Sequence, residues 1–278
     1  MGDDKLSLIK TAIKAGYRLF DSASDTGPWY KSESAIGVAF REALLNEPDP
    51  ERRMALRKEL LVTSKLHPQD FTPARADDSF KRTLANVGEE YVDIYLLHYP
   101  SCGPKDYKAL CPDRDGSEGD WRTIWRPLEI RMLKGEIGLL GVANFNLQEL
   151  QQLVGTTRVK PHLVQAWFDP YHQDWELVNY CRGLDIAFQA YSSLGTQWNH
   201  RAETDHKNPI LTDEVLVQIA AKHRKSVPQI IIRWLLQEDI LVIPRSSSEQ
   251  HIVENINVFD FRLTPEETKQ IRGLNGKR

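Results

Sequence analysis

The chain has 278 residues, 41% hydrophobic, 27% charged and 9% aromatic, with 36 Lys and Arg against 39 Asp and Glu for a net charge of −3. This composition excludes a disordered, collagenous or low-complexity protein. Without a basic excess, neither nucleic acid nor an anionic membrane is expected as the main partner. No apolar run approaches the roughly 18 residues that a membrane helix needs, and the start, Met1-Gly2-Asp3-Asp4-Lys5, carries no signal-peptide core. The three cysteines, Cys102, Cys111 and Cys181, are odd in number and form no C-x-x-C pair. That argues against a disulfide framework or a zinc site and suits a reducing compartment. The expectation is a cytoplasmic single domain over residues 1–278, a monomer or weak dimer acting on a small molecule.

In chain order, Lys5–Ala15 carries Leu6, Ile9 and Ile13 on one face, a helical spacing that ends at Gly16. Tyr17–Asp21 and Leu60–Lys65 follow as short apolar strands. Thr72 is placed to cap a helix with Pro73 at its first position, running to Gly88. Val92–His98 is the next strand. Ser101–Asp120, rich in Pro, Gly and Asp, reads as an excursion ahead of a helix over Trp121–Lys134. Strand Gly138–Val142, helix Leu147–Val154, strand Leu163–Phe168, helix Trp175–Cys181 and strand Ile186–Ala190 continue the alternation. A second excursion, Gly195–Pro209, precedes helices Asp213–His223 and Val227–Gln237, strand Ile240–Pro244 and helix Glu249–Val258. Thr264-Pro265-Glu266-Glu267 opens a last helix with a capping-box pattern.

Continuous apolar strands alternating with helices call for a parallel sheet joined by right-handed crossovers. No G-x-G-x-x-G follows any strand, which removes the usual sign of a doubly wound dinucleotide-binding sheet. The expected fold is therefore an α/β, TIM-type (β/α)₈ barrel, although only seven of its eight strands are recognisable. Chemistry in a barrel sits at the C-terminal ends of the strands. Those ends carry Asp21, Lys65, His98, Asn144, Gln165, Tyr191 and Arg245.

Each of these has a bland reading: a snorkelling lysine, a hydrogen-bonded core histidine, an aromatic packed in its loop. Together they suggest more. A carboxylate at Asp21 needs a partner, and Lys65 is the obvious one. The phenol of Tyr30, set beside an ammonium, would become more acidic. His98 could hold a carbonyl oxygen. The set amounts to a proton donor suited to completing hydride transfer to an aldehyde or ketone. A Schiff-base role for Lys65, as in a barrel lyase or isomerase, is a competing possibility.

The motifs at these ends resemble those of the aldo-keto reductases over about Lys5 to Leu274. Gly16-Tyr17-Arg18-Leu19-Phe20-Asp21-Ser22-Ala23 is similar to G-Y-R-x-x-D-T-A, and Tyr30-Lys31-Ser32-Glu33-Ser34-Ala35-Ile36-Gly37 to Y-x-N-E-x-x-V-G. Val62-Thr63-Ser64-Lys65-Leu66 matches V-T-S-K-L, and Val92-Asp93-Ile94-Tyr95-Leu96-Leu97-His98-Tyr99-Pro100 resembles Y-L-D-L-Y-L-I-H-W-P. Gly141-Val142-Ala143-Asn144-Phe145-Asn146 resembles G-V-S-N-F-N. Ala190-Tyr191-Ser192-Ser193-Leu194-Gly195 resembles A-Y-S-P-L-G, and Ile243-Pro244-Arg245-Ser246 resembles I-P-K-S.

The resemblance implies NADP(H), with NAD(H) as an option, and a catalytic tetrad of Asp21, Tyr30, Lys65 and His98 with Tyr30 as general acid. It implies that Asn144 and Gln165 bond the carboxamide and Tyr191 stacks on the nicotinamide. Arg245, Ser246 and Ser247 would form an anion site, Ser192, Leu194 and Gly195 would also bind the cofactor, and Glu254 and Asn255 would hold the adenine. Trp29 and Tyr99, with the 101–120 excursion, suggest an aromatic-lined substrate pocket.

Several departures stand out. Extra residues separate Asp21 from Tyr30, Ala143 replaces a serine, Asp169 replaces a frequent histidine, and His251 replaces a phosphate-gripping arginine. The family's first strand has no counterpart, and the chain stops soon after its last helix, at Arg278, without the long C-terminal substrate loop of many members. The implied activity is NADP(H)-dependent reduction of a carbonyl to an alcohol. The alternative is a catalytically weak or inactive cofactor-binding or regulatory protein, and the missing strand and Ala143 lead to an expected weak cofactor affinity.

Overall fold

A computed structural model describes residues 2–25, 30–102, 111, 120–201 and 207–277. Its contacts divide the chain into two units, Met1–Val164 and Gln165–Arg278.

The first unit is a run of parallel strands with helices between them. β1 (Leu19–Asp21), β2 (Leu61–Leu66), β3 (Val92–Leu97) and β4 (Ile137–Ala143) pair in chain order, with Phe20 opposite Val62, Ser64 opposite Tyr95 and Leu96 opposite Gly141. Val62, Leu66, Leu96, Leu140 and Val142 are fully buried. That explains why these strands read as continuous apolar runs rather than alternating ones. Around them lie α1 (Gly2–Ala15), α2 (Glu33–Leu45), α3 (Pro50–Glu59), α4 (Pro73–Val87), α5 (Trp121–Leu133) and α6 (Leu147–Thr156).

Helices α2 and α3 are absent from the expected elements. In α3 only Leu56 is buried, so no apolar stripe marks it. Local chemistry starts it instead: Asp49 accepts from the backbone N–H groups of Glu51 and Arg52, and Pro50 opens the first turn. In α2, Gly37 permits close approach to α4, because a Cβ there would fall 2.2 Å from the carbonyl oxygen of Val87. Thr72 sits at the cap of α4, although its side chain makes no capping bond.

β5 (Leu163–Trp167) reaches across the boundary between the units. The second unit holds α7 (Trp175–Gly183), β6 (Ala187–Tyr191), α8 (Glu214–His223), α9 (Val227–Gln237), β7 (Leu241–Val242), α10 (Glu249–Ile256) and α11 (Pro265–Arg272). β6 and β7 are parallel, with Gln189 opposite Leu241. β7 is shorter than expected, and Pro244, without an N–H, cannot extend its ladder. The core groups Phe168 with Trp175, Phe188 and Trp234, ring centroids 5.2–5.9 Å apart. The capping box expected at Thr264 forms with Glu267.

All seven expected strands are therefore present among the described residues, each within a few residues of its expected bounds. One expectation fails. Cys102 and Cys111 are joined by a disulfide, leaving Cys181 free and buried. An odd count excludes complete pairing but not a single bridge between two cysteines in one excursion. No helix among the described residues is long and apolar enough to cross a membrane.

Candidate active site

Four of the residues expected to carry chemistry meet in the first unit. Lys65 is the next-to-last residue of the buried strand β2 and is fully buried. Its Nζ donates to Asp21 Oδ2 at 2.6 Å and to the carbonyl oxygen of Ser22 at 2.7 Å. The register puts Asp21, at the end of β1, opposite Thr63, two residues before Lys65. Side chains two apart on a strand share a face. Burial lowers the Lys65 pKa, and the Asp21 carboxylate opposes that shift.

Tyr30 lies nine residues after Asp21, and its ring centroid is 5.0 Å from Lys65 Nζ. Its ring meets that of His98 edge-on at 5.6 Å. His98 is buried just past β3, and its backbone N–H donates to the carbonyl oxygen of Leu66. Burial, then the Lys65 charge, then His67 hold its pKa well below the ordinary imidazole value, so the ring is neutral at pH 7. Tyr99 stacks on His98 at 4.9 Å and packs against Cys102 and Cys111. Trp29, also expected in the pocket, lies outside the described residues, as do residues 103–110 and 112–119 of the excursion.

The arrangement is braced from behind. Glu33, buried in α2, accepts from Ser64 Oγ at 2.6 Å, Thr83 Oγ1 at 2.8 Å and Asn86 Nδ2 at 2.9 Å. Ser22 and Ser32 hydroxyls share a 2.8 Å bond. Asn144, in the left-handed backbone region at φ 61°, donates from Nδ2 to the carbonyl oxygen of His98 at 2.8 Å. It therefore holds the histidine's segment in place. Ala143 packs with Ile94, Leu96 and Leu163 in a buried cluster, where a serine hydroxyl would need a buried partner.

The remaining expected binding residues lie in the second unit. Gln165 is buried and donates from Nε2 to Gln189 Oε1 at 2.7 Å. Gln189, two residues before Tyr191 and so on its face of β6, is a polar residue the sequence reading passed over. Its Nε2 has no hydrogen-bond partner among the described residues. After β6 the chain turns through Ser192 (φ 52°) and Gly195 (φ 83°), closed by a bond from Gly195 N to Ser192 O. Asn208 Nδ2 donates to the carbonyl oxygen of Leu194.

Arg245, Ser246 and Ser247 lie just before α10, whose cap is Ser248. Arg245 is exposed and makes no ion pair among the described residues. A free guanidinium and hydroxyls beside a helix N-terminus form a donor set suited to a phosphate. Along α10, Glu254 accepts from Gln250 at 2.7 Å, and Asn255 is buried.

Two further residues carry signals that the sequence pattern did not single out as functional. His67, buried two residues past Lys65, has its ring nearly perpendicular to that of His98, centroids 6.2 Å apart. The buried carboxylate of Asp169 accepts four N–H bonds, from Trp167 Nε1 at 2.7 Å, Trp198 Nε1 at 3.0 Å, Tyr171 N at 2.8 Å and His172 N at 3.0 Å. No neutral histidine could accept four. The departure at this position goes with the two indoles around it.

A model of the aldo/keto reductase family matches residues 2–276. Among similar proteins, aldo-keto reductase family 1 member A1 of Mus musculus is 35% identical over 280 residues, covering 96% of this chain and 80% of its own. The 7-acetyl-epi-neemfruitin B aldo-keto reductase of Melia azedarach is 36% identical over 266 residues, covering 94% of this chain and 77% of its own. Among solved structures, the Bombyx mori aldo-keto reductase in complex with NADP superposes with a TM-score of 0.84 at 31% identity, covering 100% of this chain and 85% of its own. The seven parallel strands and their helices share the (β/α)₈ barrel class of these neighbours.

Proposed function

The chain belongs to the aldo/keto reductase family, and from that premise we propose that it is an NADP(H)-dependent oxidoreductase reducing an aldehyde or ketone to the alcohol. The observation that carries the reading is the buried Lys65 ammonium, bonded to Asp21 at 2.6 Å with Tyr30 set against it.

When bound, a nicotinamide would supply the hydride that the carbonyl carbon takes up. The chain's own residues manage the proton and the geometry. Tyr30 gives its phenolic proton to the carbonyl oxygen as that oxygen gains charge. Lys65 keeps a positive charge beside the phenol, which favours release of that proton. Asp21 and the Ser22 carbonyl occupy two of the three Lys65 donors and fix its direction. That engagement also argues against a free amine available for Schiff-base chemistry. His98, neutral at this pH, offers an N–H to orient the carbonyl oxygen without adding a competing charge.

At the other end of the cofactor, Arg245, Ser246, Ser247 and the N-terminus of α10 supply phosphate donors. Asn144, Gln165 and Tyr191 would receive the nicotinamide, Ser192, Leu194 and Gly195 the phosphates, and Glu254 and Asn255 the adenine.

NADPH absorbance followed against a panel of aldehydes and ketones tests the reading. Carbonyl-dependent oxidation of NADPH supports it. Cofactor binding without such oxidation would favour the second reading, a reductase-like binding protein, which draws on Ala143 at the position of the family's serine, buried with Ile94, Leu96 and Leu163.

A further inference from the structure

Tyr99 follows His98 directly, and the two rings stack, centroids 4.9 Å apart and planes 24° from parallel. Tyr30 meets the same imidazole edge-on at 5.6 Å. Tyr99 therefore covers part of the residue placed to orient the carbonyl oxygen. Three residues further on, Cys102 is bridged to Cys111 across a sequence separation of 9. Both are buried, and Tyr99 packs against them. Tyr99 is itself half-buried, and it touches both the imidazole and the bridge.

The backbone beside Tyr99 is tied down independently. Ser101 pairs antiparallel with Asp120, and the Trp121 N–H donates to the carbonyl oxygen of Pro100 at 3.0 Å. Cys111 is a different matter, because it comes from nine residues beyond Cys102 and the covalent bond secures it there. A disulfide removes the conformations in which its two cysteines separate. Sulfur against an aromatic ring is also a favourable contact. The bridge thus keeps a sulfur surface in place under the ring that stacks on His98.

Resting on the carbonyl-reductase reading of the cluster, we propose that the Cys102–Cys111 bridge is a positioning device that holds the Tyr99 ring on His98 and so sets the affinity for the carbonyl substrate. The two cysteines act through Tyr99 rather than on the substrate. Opening the bridge lets Cys111 leave, and the ring loses part of the surface it packs on. The proton donor and its lysine do not depend on that surface, since Asp21 and the Ser22 carbonyl hold Lys65. KM should therefore respond, and kcat should not.

The test measures kcat and KM with NADPH for 4-nitrobenzaldehyde, or for the best substrate of the carbonyl panel should that aldehyde not turn over. Four proteins are compared: the wild type, Cys102→Ser/Cys111→Ser, Tyr99→Ala, and the three changes combined. The proposal expects KM to rise roughly three- to tenfold in the cysteine variant, the loss of one aromatic contact, with kcat within about twofold. In the Tyr99→Ala background the same two changes should move KM by less than about twofold, because the bridge then has no ring to hold. A KM that opening the bridge leaves unchanged, or raises equally in both backgrounds, overturns the proposal. Should the serine variant not fold, dithiothreitol gives the same comparison without substitution. The bridge then takes up two electrons and two protons, and the reagent closes to its cyclic disulfide. Alkylation after unfolding should label Cys181 alone before that treatment and all three cysteines after it. Three labelled cysteines in air-oxidised protein overturn the proposal. A wild type that binds NADPH but reduces no carbonyl of the panel overturns the carbonyl-reductase reading and this inference with it.

Discussion

Lys65 and Asp21 form an asymmetric pair: the ammonium is fully buried, whereas 10% of the carboxylate side chain remains accessible, across a 2.6 Å bond. Removing either partner therefore has unequal consequences. Asp21→Asn keeps an amide oxygen that can accept from Lys65 but removes the opposing charge, leaving a buried ammonium uncompensated, and breaking a buried pair in this way costs about 3–5 kcal/mol. Lys65→Met removes the buried charge and leaves a carboxylate that can reach water. Urea unfolding should show Asp21→Asn to be the less stable variant. The reverse order would mean that Lys65 does not hold its charge in the folded chain.

Tyr30→Phe keeps the ring that lies over Lys65 and removes only the phenolic proton. Cofactor binding, read by NADPH fluorescence, should be retained while kcat falls by roughly 10²–10⁴-fold, the contribution of a positioned acid. Activity close to wild type would assign the proton to another group.

Arg245 is exposed at the start of α10 with no ion pair among the described residues. A charge-assisted bond to a phosphate contributes about 1.5–3 kcal/mol, so Arg245→Met should weaken NADPH binding by roughly tenfold or more. NADH, without the additional phosphate, should lose less. Equal losses for both cofactors in titration calorimetry would show that Arg245 does not discriminate between them.

Burial pushes the carboxyl of Asp169 up to about 6 despite four donated N–H bonds. Between the ordinary aspartate value and 6 the folded chain holds a proton that the unfolded chain has released. Stability attributable to this group is therefore greatest below about pH 4 and declines as pH rises to about 6. Above that it is flat. Relative to Asp169→Asn, the wild-type unfolding midpoint should drift down across this window, and the Trp167 and Trp198 emission should titrate with it. Parallel curves for the two proteins between pH 4 and 7 would contradict the assignment.

The strands could be read from the chain because they are buried on both faces, and runs such as Tyr95-Leu96-Leu97 have no solvent-facing alternation to blur them. The ends of those strands could be read for the same reason: a polar residue such as Lys65 directly after such a run is conspicuous. Helix α3 could not be found by apolar spacing, since it is polar almost throughout, whereas α2 buries Ile36, Ala39 and Phe40 at helical spacing, a pattern the strand-centred reading left out. The disulfide depends on which cysteines the excursion brings together, which parity does not determine.

By itself the sequence determined the strand–helix alternation, the class of fold and the types of residue at the strand ends, because these follow from local periodicity and from motifs of adjacent residues. Only the tertiary structure decided their partnerships: Tyr30 reaching Lys65, Glu33 bracing Ser64 across 31 residues, Asn144 holding the His98 backbone, and His67 Nε2 left without a hydrogen-bond partner among the described residues. Hydrogen bonds and burial act through space between residues far apart in the chain. Whether a buried polar group finds its partner is therefore set by strand register and packing, which no local pattern records.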